Sequence, residues 1–252
     1  MKIPLSSLEA TPYSERPDLI KCKLQIMPQA WPEFMFHDAI SNQYWEQLEE
    51  KFSQFQFGVS NEKGDVIGFA SSIPLYWTEQ DYGPDGGWDG AIIKGFLDLS
   101  SDRKPNVLCA LSITVAPAYQ GQGFSLKMLL FMKELARKYN FKALFAPVRP
   151  SHKNFHPEVP IEEYLSWTNS DGLPFDPWVR THVRLGGKIL NVEPSSMKIT
   201  GTIAEWEMWA NMKFLKTGKY EIPGALIPID INLDQNQGFY EEPNVWVVHT
   251  IF

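Results

Sequence analysis

Apolar and polar positions recur with two different periods along the first third of the chain. Residues 21–27 alternate closely enough to predict a strand, whereas residues 38–52 place apolar side chains at helical spacing. Two further apolar runs, 55–60 and 66–77, flank the polar segment 61–65, which contains the Asn and Gly typical of a hairpin turn. The pattern therefore predicts a strand, a helix and a β-hairpin, in that order.

The middle of the chain contains one strand, helix, strand unit. An apolar run predicts a strand at 107–115, a broad apolar face predicts a helix at 123–139, and residues 142–148 have the composition of a buried strand. The preceding segment, 78–105, loses strand character and contains at most a short helix at 91–97. Because loops of this length in compact domains are usually functional, we expect the segment to help enclose a substrate.

The C-terminal part continues with helices and several candidate strands. Residues 176–187 have Pro at an early helical position and Gly at the end, which predicts a helix, and a strand is expected at 187–192. A short Trp-lined helix is predicted at 205–212. Three segments qualify as the last core strand: 197–203, 225–231 and 245–251.

Composition and charge narrow the class of protein. The 252 residues carry 23 Lys and Arg against 30 Asp and Glu, a formal charge of −7, and 44% of them are hydrophobic. These values predict a soluble globular protein with a real core, and they disfavour nucleic acid or a membrane as partner unless a local basic patch exists. No signal peptide, spanning helix or metal site is expected. With two cysteines in all, the default location is the cytoplasm.

A glycine turn between the predicted strand 107–115 and helix 123–139 is the feature that carries chemistry. Gly121 and Gly123 allow a sharp turn with aligned N–H groups, and the helix N-terminus adds its own unpaired N–H groups and dipole. Such a turn suits a phosphate or pyrophosphate. It is neither a Walker A loop nor a dinucleotide-binding GxGxxG. Residues 120–153 have a net charge of +6, so a basic patch is expected beside the turn.

The run from Ile113 to Ser125 resembles the acyl-CoA motif of the GNAT superfamily of N-acetyltransferases. The family pattern Gln/Arg-x-x-Gly-x-Gly/Ala reads Gln120-x-x-Gly123-x-Ser125 here. The resemblance implies an α/β (α+β) fold with a mixed, twisted central sheet and helices on both faces. It also implies one domain, 1–252, organised as a core at about 21–192, an insertion at 78–105 and a C-terminal extension at 193–252.

Roles for individual residues follow from the resemblance. Acetyl-CoA or another acyl-CoA would be the co-substrate, and the backbone of Ile113 and Val115 would pair with its pantetheine arm. Two strands, 107–115 and 142–148, are expected to splay apart around that arm. The pyrophosphate would be held at the glycine turn, so the expected cofactor-binding residues there are Gln120, Gly121, Gln122, Gly123, Phe124 and Ser125.

Candidate catalytic side chains are less sharply defined. The family often uses a Tyr on the helix after the second splayed strand, and His182 occupies that place here. His182 could protonate the thiolate product, or it could be a histidine buried at the helix–sheet interface. Asp176 and Glu205 lie beside aromatic residues, where desolvation could make either a general base. For each of the two, a surface carboxylate is the alternative.

The sequence therefore predicts an acyl-CoA-dependent N-acyltransferase, most simply an acetyltransferase, acting on a small amine. Two alternatives stay open. The first is a GNAT-like enzyme that decarboxylates malonyl-CoA or transfers an acyl group to a carrier-protein thiol, in which case an acyl carrier protein would be the partner. The second is a non-catalytic CoA-binding regulatory module. The acceptor and the oligomeric state are not specified by any motif.

Overall fold

The computed structural model describes residues 8–78 and 82–252, which form one mixed sheet with helices packed against it. This architecture confirms the predicted α/β class. In chain order the strands are β1 Leu8–Pro12, β2 Gln56–Asn61, β3 Val66–Leu75, β4 Val107–Val115, β5 Ala143–Val148, β6 Lys188–Gly201, β7 Gly218–Tyr220, β8 Ile229–Asn232 and β9 Gln237–Thr250. The α-helices are α1 Leu19–Ala30, α2 Ala39–Lys51, α3 Gly87–Ser100, α4 Phe124–Lys138, α5 Ile161–Ser166, α6 Pro177–Arg184 and α7 Ile203–Ala210.

The strand order places β4 and β5 at the centre of the sheet. Hydrogen-bonded neighbours run β1, β2, β3, β4, β5, β9, β8, β7, and β6 pairs with β9. The β4–β5 pairing is parallel and consists of two residue pairs, Leu108 with Leu144 and Cys109 with Phe145. Beyond them, β4 continues along β3 while β5 continues along β9. The two strands therefore diverge, as expected, and leave a gap in the middle of the sheet.

Local sequence signals correctly located the helix predicted at 38–52 and the hairpin that follows it. The helix predicted at 38–52 is α2, which begins after Asp38, whose carboxylate accepts a hydrogen bond from the Ser41 N–H at 2.6 Å. The predicted hairpin is β2 and β3. Its turn is closed by the Asn61 side chain, which accepts from the N–H groups of Lys63 and Asp65. Capping and turn chemistry thus determined these elements.

The strand predicted at 21–27 is wrong, because this segment lies in α1. Leu19 and Lys23 are the buried positions of that helix, and they are four residues apart as one face of a helix requires. Leu24, which looked like an inward strand position, is 66% exposed. The Lys23 ammonium pairs with Glu49 and lies over the Trp45 ring. Because a lysine occupies one of the buried helical positions, the apolar residues alone do not show the helical spacing.

The segment predicted as a long loop, 78–105, is largely helical. The short helix expected at 91–97 extends over 14 residues as α3, and it begins at Gly87. Gly87 has a left-handed backbone, and a Cβ there would collide with Ser196 of β6. Residues 79–81 of the predicted loop lie outside the described residues. The segment therefore brings α3 against β3 and β6 at the gap.

The C-terminal extension supplies a central strand of the sheet. Among the three candidates for the last core strand, the segment 245–251 is the one that neighbours β5, as the second half of β9. The strand expected at 187–192 is the start of the longer β6, and the segment 197–203 continues it. A second hydrophobic cluster forms around Trp206 and Tyr240, separate from the main core. The sheet core thus extends beyond residue 192.

Candidate active site

A cleft of about 1190 Å³ opens where β4 and β5 diverge and extends along α1 and α2. Its glycine end is defined by Gly121, Gly123 and Ser125. Its aromatic end is defined by Trp45 and Glu46 of α2 and Trp88 of α3. The Trp88 indole N–H donates to the Leu111 carbonyl at 2.8 Å, four residues before β4 ends. The part of β4 from Leu111 to Val115, about 13 Å long, lies between the two ends.

The backbone of β4 faces the gap at alternate residues. The Ala116 N–H donates to the Ile67 carbonyl, and Phe69 of β3 pairs with Thr114 of β4. Because successive residues of a strand direct their backbone groups to opposite sides, those of Ile113 and Val115 point away from β3. No strand covers them on that side among the described residues. The Gln120 amide donates to the Val115 carbonyl at 3.0 Å. The Val115 carbonyl is thus already paired, whereas the Val115 N–H and both backbone groups of Ile113 are open to an extended ligand.

The glycine turn offers an anion site made of backbone. Gly121 and Gly123 have φ of 71° and 83°, and a Cβ at either position would meet nothing within 4 Å. Gly123 precedes α4, a 15-residue helix whose N-terminus has no side-chain cap and no acidic residue in its first turn. Its first N–H groups and dipole therefore face an open space, which fits a pyrophosphate.

Most of the expected cofactor-binding residues line the cleft together. They are Ile113, Val115, Gln120, Gly121, Gly123, Phe124 and Ser125. Gln122 is the exception, since its side-chain amide donates to the Ala118 carbonyl at 3.2 Å and the residue does not line the cleft. The side chain of Phe124 is buried against the Tyr119 ring. Its place at the site depends on its backbone N–H.

The basic residues of 120–153 do not form one patch beside the turn, which corrects the charge argument. Arg149 is half-buried and its Nε lies 2.9 Å from both carboxylate oxygens of Glu242. Lys153 is fully buried, and its ammonium donates to the carbonyls of His156 and Leu226. Arg137 lies at the far end of α4 and pairs with Glu134. Much of this charge is structural, so it does not indicate an acidic carrier protein.

His182 lines the cleft, but in an environment that keeps it uncharged. It is 2% exposed, and its Nδ1 lies 3.0 Å from Nε2 of His249. Burial, followed by the neighbouring His249, lowers the pKa of His182 well below 6.5. A neutral imidazole is a very weak acid at neutral pH. The structure therefore favours a positioning role for His182 over direct protonation of a thiolate.

Asp176 and Glu205 are occupied by helix capping and do not line the cleft. Asp176, 1% exposed, caps α6 by accepting from Trp178 and Val179, and it also accepts from the His152 N–H and the Tyr164 hydroxyl. Glu205 forms a capping box with Thr202 at α7, and these hydrogen bonds lower its pKa. Neither carboxylate is placed to take a proton from an amine in the cleft.

The aromatic end contains the functional side chains that sequence reasoning missed. The Trp45 and Trp88 rings stack with centroids 5.8 Å apart and an interplanar angle of 12°. Three carboxylates line the cleft: Glu33 pairs with His37 and Glu242 pairs with Arg149. The third, Glu46, makes no hydrogen bond or ion pair with any described side chain. An unpaired carboxylate beside an aromatic wall suits a cation.

Metal-ligating clusters and membrane-spanning helices are absent from the ranges 8–78 and 82–252. No group of three or more His, Cys, Asp or Glu side chains could hold a metal ion there, and no helix in those ranges has the length and apolar character to cross a bilayer. Both cysteines are free. Cys109 is buried within β4, and burial raises the pKa of its thiol, so it is not a nucleophile.

Comparison with known proteins gives consistent matches along the chain. Residues 18–156 match the model of the acetyltransferase (GNAT) family. The arginine N-acetyltransferase avaD of Aspergillus versicolor is 32% identical, with 89% of this chain and 87% of that protein aligned.

Two solved structures share the fold. The loading GNATL domain of CurA from Lyngbya majuscula has a TM-score of 0.58 and 17% identity, covering 97% of this chain and 96% of that one. The GphF GNAT-like decarboxylase in complex with isobutyryl-CoA has a TM-score of 0.53 and 14% identity, covering 97% and 99%. At such identities the likeness extends to the fold alone.

Proposed function

Because the chain belongs to the GNAT family of acetyltransferases, we propose that it transfers an acetyl group from acetyl-CoA to an amine of arginine or an arginine-like molecule. The enzyme class follows from the family: the chain is an acyl-CoA-dependent N-acetyltransferase with a small-molecule acceptor. The identity of that acceptor is the proposal. Its main support is the unpaired Glu46 carboxylate beside stacked tryptophans in the cleft, and the arginine N-acetyltransferase relative agrees with it.

Acyl-CoA binding is assigned to backbone groups. The N–H and C=O groups of Ile113 and the N–H of Val115 face the gap, and they would pair with the pantetheine amides, while the Val115 carbonyl accepts from Gln120. The uncapped N–H groups after Gly121 and Gly123 would hold the pyrophosphate, which is the group that a helix N-terminus stabilises best. The thioester would then lie near Leu111, where the extra residue of a β-bulge interrupts the β3–β4 pairing.

Acceptor recognition is assigned to the aromatic end. A guanidinium group is planar and always charged, and it stacks on aromatic faces while it binds a carboxylate. Trp45 and Trp88 supply the aromatic surface, and Glu46 supplies the carboxylate. Lys23 lies over Trp45 but is neutralised by Glu49, so it does not repel a cationic acceptor strongly. This combination favours arginine over an uncharged amine.

Acyl transfer in this cleft depends mainly on positioning. The neutral amine attacks the thioester carbonyl carbon and forms the amide C–N bond, the C–S bond breaks, and the proton lost by nitrogen passes through solvent to the departing thiolate, which leaves as CoA thiol. His182 is neutral and the capping carboxylates lie away from the cleft, so none of them supplies strong acid or base catalysis. Holding amine and thioester in contact can itself contribute several orders of magnitude in rate.

Product analysis tests the proposed acceptor directly. The purified chain is incubated with acetyl-CoA and, separately, with arginine, lysine, citrulline and tyramine, and products are identified by mass spectrometry. We expect acetyl-arginine as the fastest-forming product. Citrulline has the same shape as arginine without its charge, so it is the matched control. Equal rates with arginine and citrulline, or acetylation of tyramine alone, would contradict the proposal.

A further inference from the structure

Two carboxyl groups, one buried (Asp38) and one half-buried (Asp89), meet beside the aromatic end of the cleft and have no part in acyl transfer. Asp38 precedes α2, and Asp89 lies in the first turn of α3. The Lys198 N–H of β6 donates to Oδ2 of Asp89 at 3.3 Å, and the same N–H is near enough to the Asp38 carboxyl group to lower its pKa. Two carboxyl groups from different helices therefore converge on one backbone amide.

The remaining oxygens of these groups lack donors. Oδ2 of Asp38 and Oδ1 of Asp89 are buried, and no described residue donates a hydrogen bond to either. Two adjacent ionised carboxylates in such a place would repel each other and lack solvation. A single proton held between the two oxygens would supply the missing donor, as in other carboxyl pairs that share a site.

The surroundings indicate which group carries the proton. Burial raises the pKa of Asp38, and the N–H groups of Ser41 and Ile40 at the start of α2 oppose this rise by stabilising its charged form. Burial and then the charge of Asp38 raise the pKa of Asp89 to about 8, and Glu242 on β9 adds to this rise. The Lys198 ammonium of β6 acts in the opposite direction, but it is exposed and lies 3.5 Å from Glu241.

We propose that Asp38 and Asp89 share one proton in a hydrogen bond that ties α2 to α3 and so positions the stacked pair Trp45 and Trp88. Asp38 and Asp89 are positioning residues, because neither lines the cleft. Above about pH 8 the shared proton leaves, two carboxylates face each other, and the two helices separate. The assignment of this wall to the acceptor rests on the proposed function, whereas the shared proton does not.

The variant Asp89→Asn tests the shared proton, because an amide can donate to Asp38 and accept from Lys198 without titrating. The ratio of its kcat/KM for arginine to that of the wild type is measured from pH 6.5 to 9.5, so that ionisation of the amine cancels. We expect this ratio to rise about tenfold across that range, mainly through KM for arginine. Asp89→Ala, which cannot make the hydrogen bond, should raise KM at every pH.

Thermal unfolding gives a second readout that needs no activity. Folding raises the pKa of Asp89, so its contribution to stability is fully present below about pH 4 and is lost as pH rises to about 8. The Tm of the wild type should therefore fall more than that of Asp89→Asn between pH 5 and 8.5. Asp98→Asn is the matched control, since Asp98 is a buried carboxylate of α3 paired with Lys94 and Arg103.

The two readouts separate failure of this inference from failure of the proposed function. Diverging Tm curves without any arginine acetylation would retain the shared proton and reject arginine as acceptor. A constant kcat/KM ratio together with parallel Tm curves for wild type and Asp89→Asn would overturn the inference. A pH response in Asp98→Asn equal to that in Asp89→Asn would also overturn it, because any change in α3 would then produce the effect.

Discussion

At the glycine end of the cleft the groups that face the opening are backbone amides and carbonyls, whereas at the aromatic end they are side chains of α2 and α3. Backbone groups can bind the amides and phosphates that every acyl-CoA shares. Side chains can distinguish acceptors by their charge and by their ability to stack on aromatic rings. In the proposed function, one end of the cleft therefore binds the common co-substrate and the other selects the acceptor.

The glycine end should lose affinity for acetyl-CoA when the backbone conformation of its turn is strained. Gly123→Val places a Cβ at a φ of 83°, which strains the turn and removes aligned N–H groups from the pyrophosphate. We expect affinity for acetyl-CoA to fall about a hundredfold, measured by titration calorimetry. Gly64→Val is the control, because Gly64 has a φ of 82° and open space in the β2–β3 turn. Equal losses in both variants would refute backbone recognition at Gly123.

Acid should destabilise the fold at the buried histidine pair, which lies between the two ends of the cleft. Near the gap, burial and then Lys133 lower the pKa of His249 to about 4, so its stability contribution is present above pH 6.5 and lost as pH falls toward 4. From pH 7 to pH 5 the wild type should lose about 2 kcal/mol more unfolding free energy than His249→Gln, measured by urea denaturation. His152→Gln, at an exposed histidine, should match the wild type. Identical losses in all three proteins would contradict a neutral His182–His249 pair.

The aromatic end should respond to loss of one charge. Glu46→Gln keeps the shape of the side chain but removes the carboxylate that would bind the guanidinium. We expect KM for arginine to rise about tenfold with little change in KM for acetyl-CoA, measured by steady-state kinetics. Glu50→Gln, four residues later and outside the cleft lining, serves as control. A parallel rise in both Michaelis constants would mean that the two ends are not separate.

The smallest effect is expected at His182, which touches the cleft between the two ends. His182→Ala should lower kcat about threefold, because it loses packing against Trp178 and the contact with His249 rather than an acid. KM for acetyl-CoA should change less than kcat does. The measurement is a pair of saturation curves at pH 7. A loss of a hundredfold or more would restore His182 as the proton donor.

The same contrast explains what the sequence could predict. The unit from β4 through the glycine turn to α4 and β5 depends on contiguous residues, so periodicity and the motif around Gly121 and Gly123 located it. The aromatic end joins Trp45 and Glu46 to Trp88, which lies more than 40 residues further along the chain, and no local pattern links them. The stacking of Trp45 on Trp88 exists only once α3 packs on α2.

Charged side chains with structural partners account for the other errors in the sequence predictions. Lys23 looked like a polar strand position because its partner, Glu49, lies 26 residues away. Arg149 and Lys153 add to the predicted basic surface, yet the first is half-buried, the second is buried, and both donate hydrogen bonds to the C-terminal extension. Asp176 and Glu205 were candidate bases because of aromatic neighbours, but each caps a helix instead. A sequence shows which residues are charged but not how far each is buried or which group it pairs with, and these two properties decide whether the charge is structural or functional.

The most direct test of the account is the specificity ratio, kcat/KM for arginine divided by kcat/KM for citrulline, in the wild type and in Glu46→Gln. The proposed division of the cleft predicts a ratio well above one in the wild type. It also predicts that Glu46→Gln lowers this ratio about tenfold while binding of acetyl-CoA is retained. A ratio near one in the wild type, or a ratio unchanged by Glu46→Gln, would contradict the claim that the aromatic end selects a cationic acceptor through Glu46.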